Sequence, residues 1–203
     1  MEKKIAGAIS LVTHPLLAPT YAFLWLLNLP VYFASVLPDD MRWKVAGLVF
    51  LTSFLVPVLL MLLLLRLGHI SSLKMNRRDE RIYPYTLTVV FYYLTYFVLK
   101  KLNLPAIYLY LMSGVTLLAF LTLAINFFWK ISSHMIAAGA LAGLATGLSF
   151  FLGTNLGMWI FAGIMWAGFI GYARLALDAH DPAQVYAGFG LGFISLVILF
   201  LVL

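Results

Sequence analysis

The chain has 203 residues, 64% of them hydrophobic and only 10% charged, with a formal net charge of +6 and no cysteine; its mean hydropathy is +1.03. Soluble proteins carry about 25% charged residues, so a soluble fold is excluded and an integral membrane protein is expected. The lack of cysteine excludes disulfides, thiolate catalysis and Cys-ligated metal.

The N-terminal stretch 1–10 starts with Lys3 and Lys4 and runs on through Thr13, His14 and Pro15 without a small-residue cleavage site, so no signal peptide is expected. About 20 mostly apolar residues carry a helix across a bilayer core. Seven such runs follow, at 16–37, 45–65, 85–99, 105–128, 135–152, 156–177 and 183–203. The run at 85–99 is short, and Pro19 and Pro30 are expected to bend the one at 16–37. The predicted fold is all-α: a polytopic membrane helix bundle of six or seven transmembrane helices, forming a single domain over 1–203.

Trp43, Tyr83, Tyr85 and Trp129 fall near predicted span ends, where amphipathic rings sit at a membrane interface. Gly139, Gly143 and Gly147 recur every four residues on the fifth run, as Gly188 and Gly192 do on the seventh. Such small faces let helices approach closely, and these glycines are assigned to packing.

Two spans separate each of the connections 68–84, 130–134 and 178–182 from the next, so all three are expected on one face together with the N-terminus. The connections at 38–44, 100–104 and 153–155 go to the other face and hold little that does chemistry. Each of the first three leads into a helix start, where unpaired N–H groups and a partial positive charge favour an anion. The motif face carries nine basic residues (Lys3, Lys4, Arg66, Lys74, Arg77, Arg78, Arg81, Lys130, Arg174) against four (Arg42, Lys44, Lys100, Lys101). Setting aside the anion ligands proposed below leaves six against four, too small an excess to assign the face. Because the basic residues lie in short clusters, anionic headgroups are expected partners and nucleic acid is not.

Ionisable groups between greasy segments are costly and usually functional. In the first connection Lys74 and Arg81 supply donors suited to phosphate oxygens; Arg77, Arg78, Asp79 and Glu80 read as a solvated, topology-setting loop. In the second, Ser132 or Ser133 is placed to cap the fifth span and to donate to an oxyanion, and His134 stands just inside the helix start. In the third, Asp181 suits the N-cap, Pro182 the first helical position and Gln184 the third, as in a capping box. Gln184 is also four residues from His180, so its carbonyl is placed to hold the imidazole N–H and present the other nitrogen to phosphorus.

Together these segments resemble the type 2 phosphatidic acid phosphatase superfamily, also known for lipid phosphate phosphatases and haloperoxidases. Its members carry Lys-x6-Arg-Pro, Pro-Ser-Gly-His and Ser-Arg-x5-His-x3-Asp. Six residues separate Lys74 from Arg81, Ser132 and His134 sit in Ile-Ser-Ser-His, and five residues separate Arg174 from His180. The resemblance covers 74–192 and leaves the first two spans outside. Four positions depart: Ile82 follows Arg81, Ile131-Ser132-Ser133-His134 replaces Pro-Ser-Gly-His, Ala173 precedes Arg174, and Gln184 stands in place of Asp.

What the resemblance implies is a lipid phosphatase that needs neither metal nor cofactor. His180 would attack phosphorus and His134 would protonate the departing alcohol, then activate water against the phosphohistidine. Lys74, Arg81, Ser132, Ser133 and Arg174 would hold the non-bridging oxygens. The expected substrates are lipid phosphates of the phosphatidate, phosphatidylglycerophosphate, prenyl diphosphate or sphingoid phosphate class, and the expected location is the plasma (inner) membrane. Gln184 can orient an imidazole but cannot balance an imidazolium, a charge that Asp178 or Asp181 would have to supply. The alternative expectation is therefore a non-catalytic lipid-phosphate binder or carrier. A transporter ranks last, since the chain shows no repeated half.

Overall fold

The computed structural model of the chain describes residues 2–70, 72 and 79–203, and among these the regular secondary structure is helical, with no strand. The helices are α1 (Glu2–Val12), α2 (Ala18–Leu27), α3 (Tyr32–Ser35), α4 (Asp39–Phe50), α5 (Val56–Arg66), α6 (Ile82–Lys101), α7 (Ala106–Asn126), α8 (Ser133–Leu152), α9 (Gly157–Ala176) and α10 (Pro182–Leu201). Tight 3-10 turns occupy Pro15–Leu17 and Asp79–Arg81, and a π turn occupies Leu51–Leu55. Among the described residues, seven helical runs are long and apolar enough to cross a membrane. The protein belongs to the all-α, polytopic membrane class that its hydropathy predicted.

Five of the seven predicted runs match their helices to within three residues at each end; the run at 45–65 misses the first six residues of its helix, which begins at Asp39, and the run at 16–37 departs most. The run expected at 16–37 is instead a helical stretch at Glu2–Leu27, interrupted near His14, after which the chain breaks at Asn28 to Val31 before the short α3. Pro19 lies in the first turn of α2, where its missing N–H costs nothing, whereas Pro30 cannot continue a helix. The run expected at 85–99 is a full 20-residue helix, α6. Pro84 sits in its first turn, so the helix begins ahead of it.

The chain forms two compact units, Pro19–Phe127 and Met1–Ala18 with Phe128–Leu203. In the first, Phe23, Leu26, Leu27, Val45, Leu99 and Tyr108 are fully buried, and the Tyr108 ring packs edge-on to Phe33 with centroids 5.9 Å apart. Asp39 and Asp40 stand in the first turn of α4, where they complement the helix dipole. The π turn lies just ahead of Pro57, whose ring and missing N–H disturb the regular ladder. Thr95 Oγ1 donates to Thr52 Oγ1 at 2.8 Å and ties α6 to that turn.

The second unit is built around the pairing of α8 with α10, the most extensive between helices. Its closeness is set by the glycines. A β-carbon on Gly139 would run into the Phe189 carbonyl, one on Gly143 into that of Phe193 and one on Gly192 into that of Ile136. One on Gly188 would lie 2.8 Å from the Ser132 oxygen. The packing role read from the four-residue spacing is thus correct, and the closest approaches run along the length of both helices. On the other side of α8, Met135 and Ala138 join Ala167 and Ile170 of α9 and Val185 of α10 in a buried cluster, against which Ile9 of α1 also packs.

Candidate functional site

The α8–α10 pairing sets the helix starts side by side. Asp181, in extended conformation, caps α10 by accepting the Gln184 amide at 2.8 Å, and Pro182 follows at the first helical position. The Ser132 amide donates across to the Gln184 carbonyl (3.4 Å), while the Ser132 carbonyl accepts from Ile136 (2.9 Å). The two connections that precede these helices therefore meet at one end of the unit, as the span count required. The third expected helix start, that of α6, belongs to the other unit.

The Gln184 side chain does not reach back to the cap. Its Oε1 lies 2.7 Å from His180 Nδ1, with His180 only 8% exposed. An amide oxygen only accepts, so Nδ1 carries the proton and Nε2 carries the lone pair. The cap is completed by the Gln184 backbone alone, and the side chain is left to orient the imidazole.

His134 is held in the opposite sense. Its Nε2 lies 3.0 Å from the Ser10 carbonyl, again a group that only accepts, so Nε2 carries the proton and Nδ1 is the acceptor nitrogen. Arg174, in the last turn of α9, donates from Nη1 to Ser10 Oγ at 3.1 Å. The His14 ring stands edge-on to that of His134, 5.9 Å between centroids, and its Nδ1 accepts the Leu16 amide at 3.3 Å. Arg174, His14 and His180 all lie within electrostatic reach of His134.

Ser132 departs from its expected cap role. It occupies the N-cap position of α8 but makes no side-chain cap bond; its Oγ is fully buried and has no hydrogen-bond partner. Ser133 follows as the first residue of α8, half-buried. The carboxylates proposed as charge partners for His180 are engaged elsewhere: Asp178 pairs with Lys3 at 3.0 Å, and Asp181 holds its cap.

Ser132, His134, Arg174, His180 and Gln184 thus share one unit. Arg81 belongs to the other unit, where it is buried at the start of α6. Lys74 lies outside the described residues. Sequence reasoning missed Ser10 and His14, which it placed ahead of the first span and beyond the reach of the resemblance. Their signal was nonetheless present, as a hydroxyl and an imidazole closing a stretch with an apolar face.

One guanidinium, three imidazoles and two helix starts suit an anion, and a nitrogen lone pair beside it suits attack on phosphorus or a carbonyl. No family model, curated protein or solved structure matches the chain.

Proposed function

We propose that the protein is a divergent lipid phosphatase of the type 2 phosphatidic acid phosphatase kind, hydrolysing a phosphate or diphosphate monoester of a lipid in the plasma (inner) membrane. The observation that carries this reading is the 2.7 Å bond between Gln184 Oε1 and His180 Nδ1, which makes His180 Nε2 the nucleophile, with His180 and Arg174 both within electrostatic reach of His134. Nε2 attacks phosphorus and the P–O bond to the lipid alcohol breaks. A proton brought by the phosphate monoanion passes to the His134 Nδ1 lone pair, Nε2 being held by Ser10, and from there to the departing oxygen. Water then attacks the phosphohistidine, its proton passes to His134 Nδ1, and orthophosphate leaves. Arg174, the α8 and α10 amides and the Ser132 hydroxyl stabilise charge on the phosphoryl oxygens, with Ser133 carried over from the resemblance.

Phosphate release from detergent-solubilised protein, offered phosphatidic acid, phosphatidylglycerophosphate, a prenyl diphosphate and a sphingoid phosphate, tests the reading. His180→Ala is expected to abolish release; equal release by wild type and variant removes His180 as nucleophile. A second reading rests on Gln184 itself, a neutral amide that leaves a developing imidazolium unbalanced. It makes the protein a lipid-phosphate binder without turnover, and trapping a phosphohistidine rules it out.

A further inference from the structure

Ser10 makes two contacts with the site, and both follow from where α1 stops. The last four carbonyls of a helix lack intrahelical partners. The helix ends at Val12, Thr13 N turns to the Ile9 carbonyl and His14 N to that of Leu11, and Pro15 has no N–H to offer. Ser10 O is met instead by His134 Nε2, 124 positions along the chain, while its hydroxyl accepts from Arg174 Nη1. The helix is fixed in this position at both ends. Ala6 and Ser10 are buried, Ile9 packs on the core between α8, α9 and α10, and Glu2 accepts from the Tyr172 hydroxyl at 2.6 Å. Glu2 and Ser10, about two turns apart on α1, reach Tyr172 and Arg174 of α9, so α1 is held against the end of α9 that carries the site.

We propose that Ser10 is a positioning residue of the reaction: its hydroxyl holds the Arg174 guanidinium where the phosphoryl group arrives, and its carbonyl keys His134. The inference rests on the lipid-phosphatase reading and adds α1 to the working site. A long Arg side chain loses rotamer freedom when it grips an anion. Anchoring one of its five donors on Ser10 orders the planar fork beforehand and leaves the anion less to immobilise. The effect therefore belongs to anion affinity, beyond any contribution to folding.

The test compares wild type, Ser10→Ala and Ser10→Thr in detergent, reading KM and kcat on the lipid phosphate that wild type hydrolyses, inhibition by orthovanadate, and the unliganded melting temperature. Ser10→Ala is expected to raise KM and the vanadate inhibition constant about tenfold, with kcat less affected. Ser10→Thr, which keeps the hydroxyl, is expected to restore both. In an Arg174→Ala background Ser10→Ala is expected to add nothing, because the two side chains act as one unit. A Ser10→Ala protein with unchanged vanadate inhibition overturns the inference, whether or not its melting temperature falls, and so does a Ser10→Thr protein as impaired as Ser10→Ala. If wild type itself neither releases phosphate nor binds vanadate, the phosphatase reading fails and takes the inference with it. If wild type does both and Ser10→Ala matches it, the inference alone fails.

Discussion

Gln184 Oε1 lies 2.7 Å from His180 Nδ1, while the Ser10 carbonyl lies 3.0 Å from His134 Nε2, so the two imidazoles of the site are locked in opposite tautomers. One presents its lone pair on Nε2 and the other on Nδ1. A nucleophile and a proton carrier that work on opposite sides of one phosphoryl group need such a pairing of roles.

Replacing the amide by a carboxylate tests how far Gln184 limits the chemistry. Gln184→Asp is expected to raise kcat about tenfold, because a charged acceptor strengthens the hydrogen bond as the imidazolium forms. Gln184→Leu is expected to lower kcat by about the same factor. Initial rates of phosphate release on one substrate decide both.

The buried, unpartnered hydroxyl of Ser132 separates stability from function. Ser132→Ala removes a polar group that makes no hydrogen bond, so the protein is expected to keep its thermal stability or gain about 1 kcal/mol. The same change removes a donor to the phosphoryl oxygens and is expected to cut kcat/KM by about 10- to 100-fold. Thermal melts and rate measurements on one preparation check the two halves, and a fall in stability would mean that the hydroxyl serves the fold.

Glycines of the α8–α10 seam are expected to control activity through the spacing of the two helices. Gly192→Ala places a methyl against the Ile136 carbonyl and is expected to destabilise by about 1–3 kcal/mol, with loss of phosphate release, since the Ser132–Gln184 contact depends on that spacing. Gly190→Ala, which meets nothing within 4 Å, is the control and is expected to be neutral. Melting temperatures in detergent compare the pair.

The absence of cysteine makes topology directly measurable. Within the second unit, α8 carries the chain about 30 Å from the site end to its other end. Single cysteines at Lys130 and at Thr154 are expected to react with an impermeant maleimide from opposite sides of the membrane, and the side on which Lys130 reacts is the face of the site. Labelling of both from one side would contradict a spanning α8.

Much of this could be read from the letters. Hydropathy adds up locally, so the helices from Ile82 onward emerged with nearly their observed ends. The His180–Gln184 pair and the Asp181 cap were legible because both lie within one helical turn, where spacing alone brings side chains together. The same local reasoning misjudged Ser132: its N-cap position was foreseen, but the buried and unpartnered state of its hydroxyl depends on a neighbouring helix.

What belongs to the sequence by itself is therefore the membrane class, the spans after the first, the glycine faces and the orientation of one imidazole, all governed by interactions a few residues apart. Tertiary structure decided which glycine face meets which carbonyls, and it brought Ser10 onto Arg174 and His134 across 164 and 124 positions of chain. A carbonyl left over at a helix end accepts from whatever donor packing delivers, and periodicity carries no record of that donor.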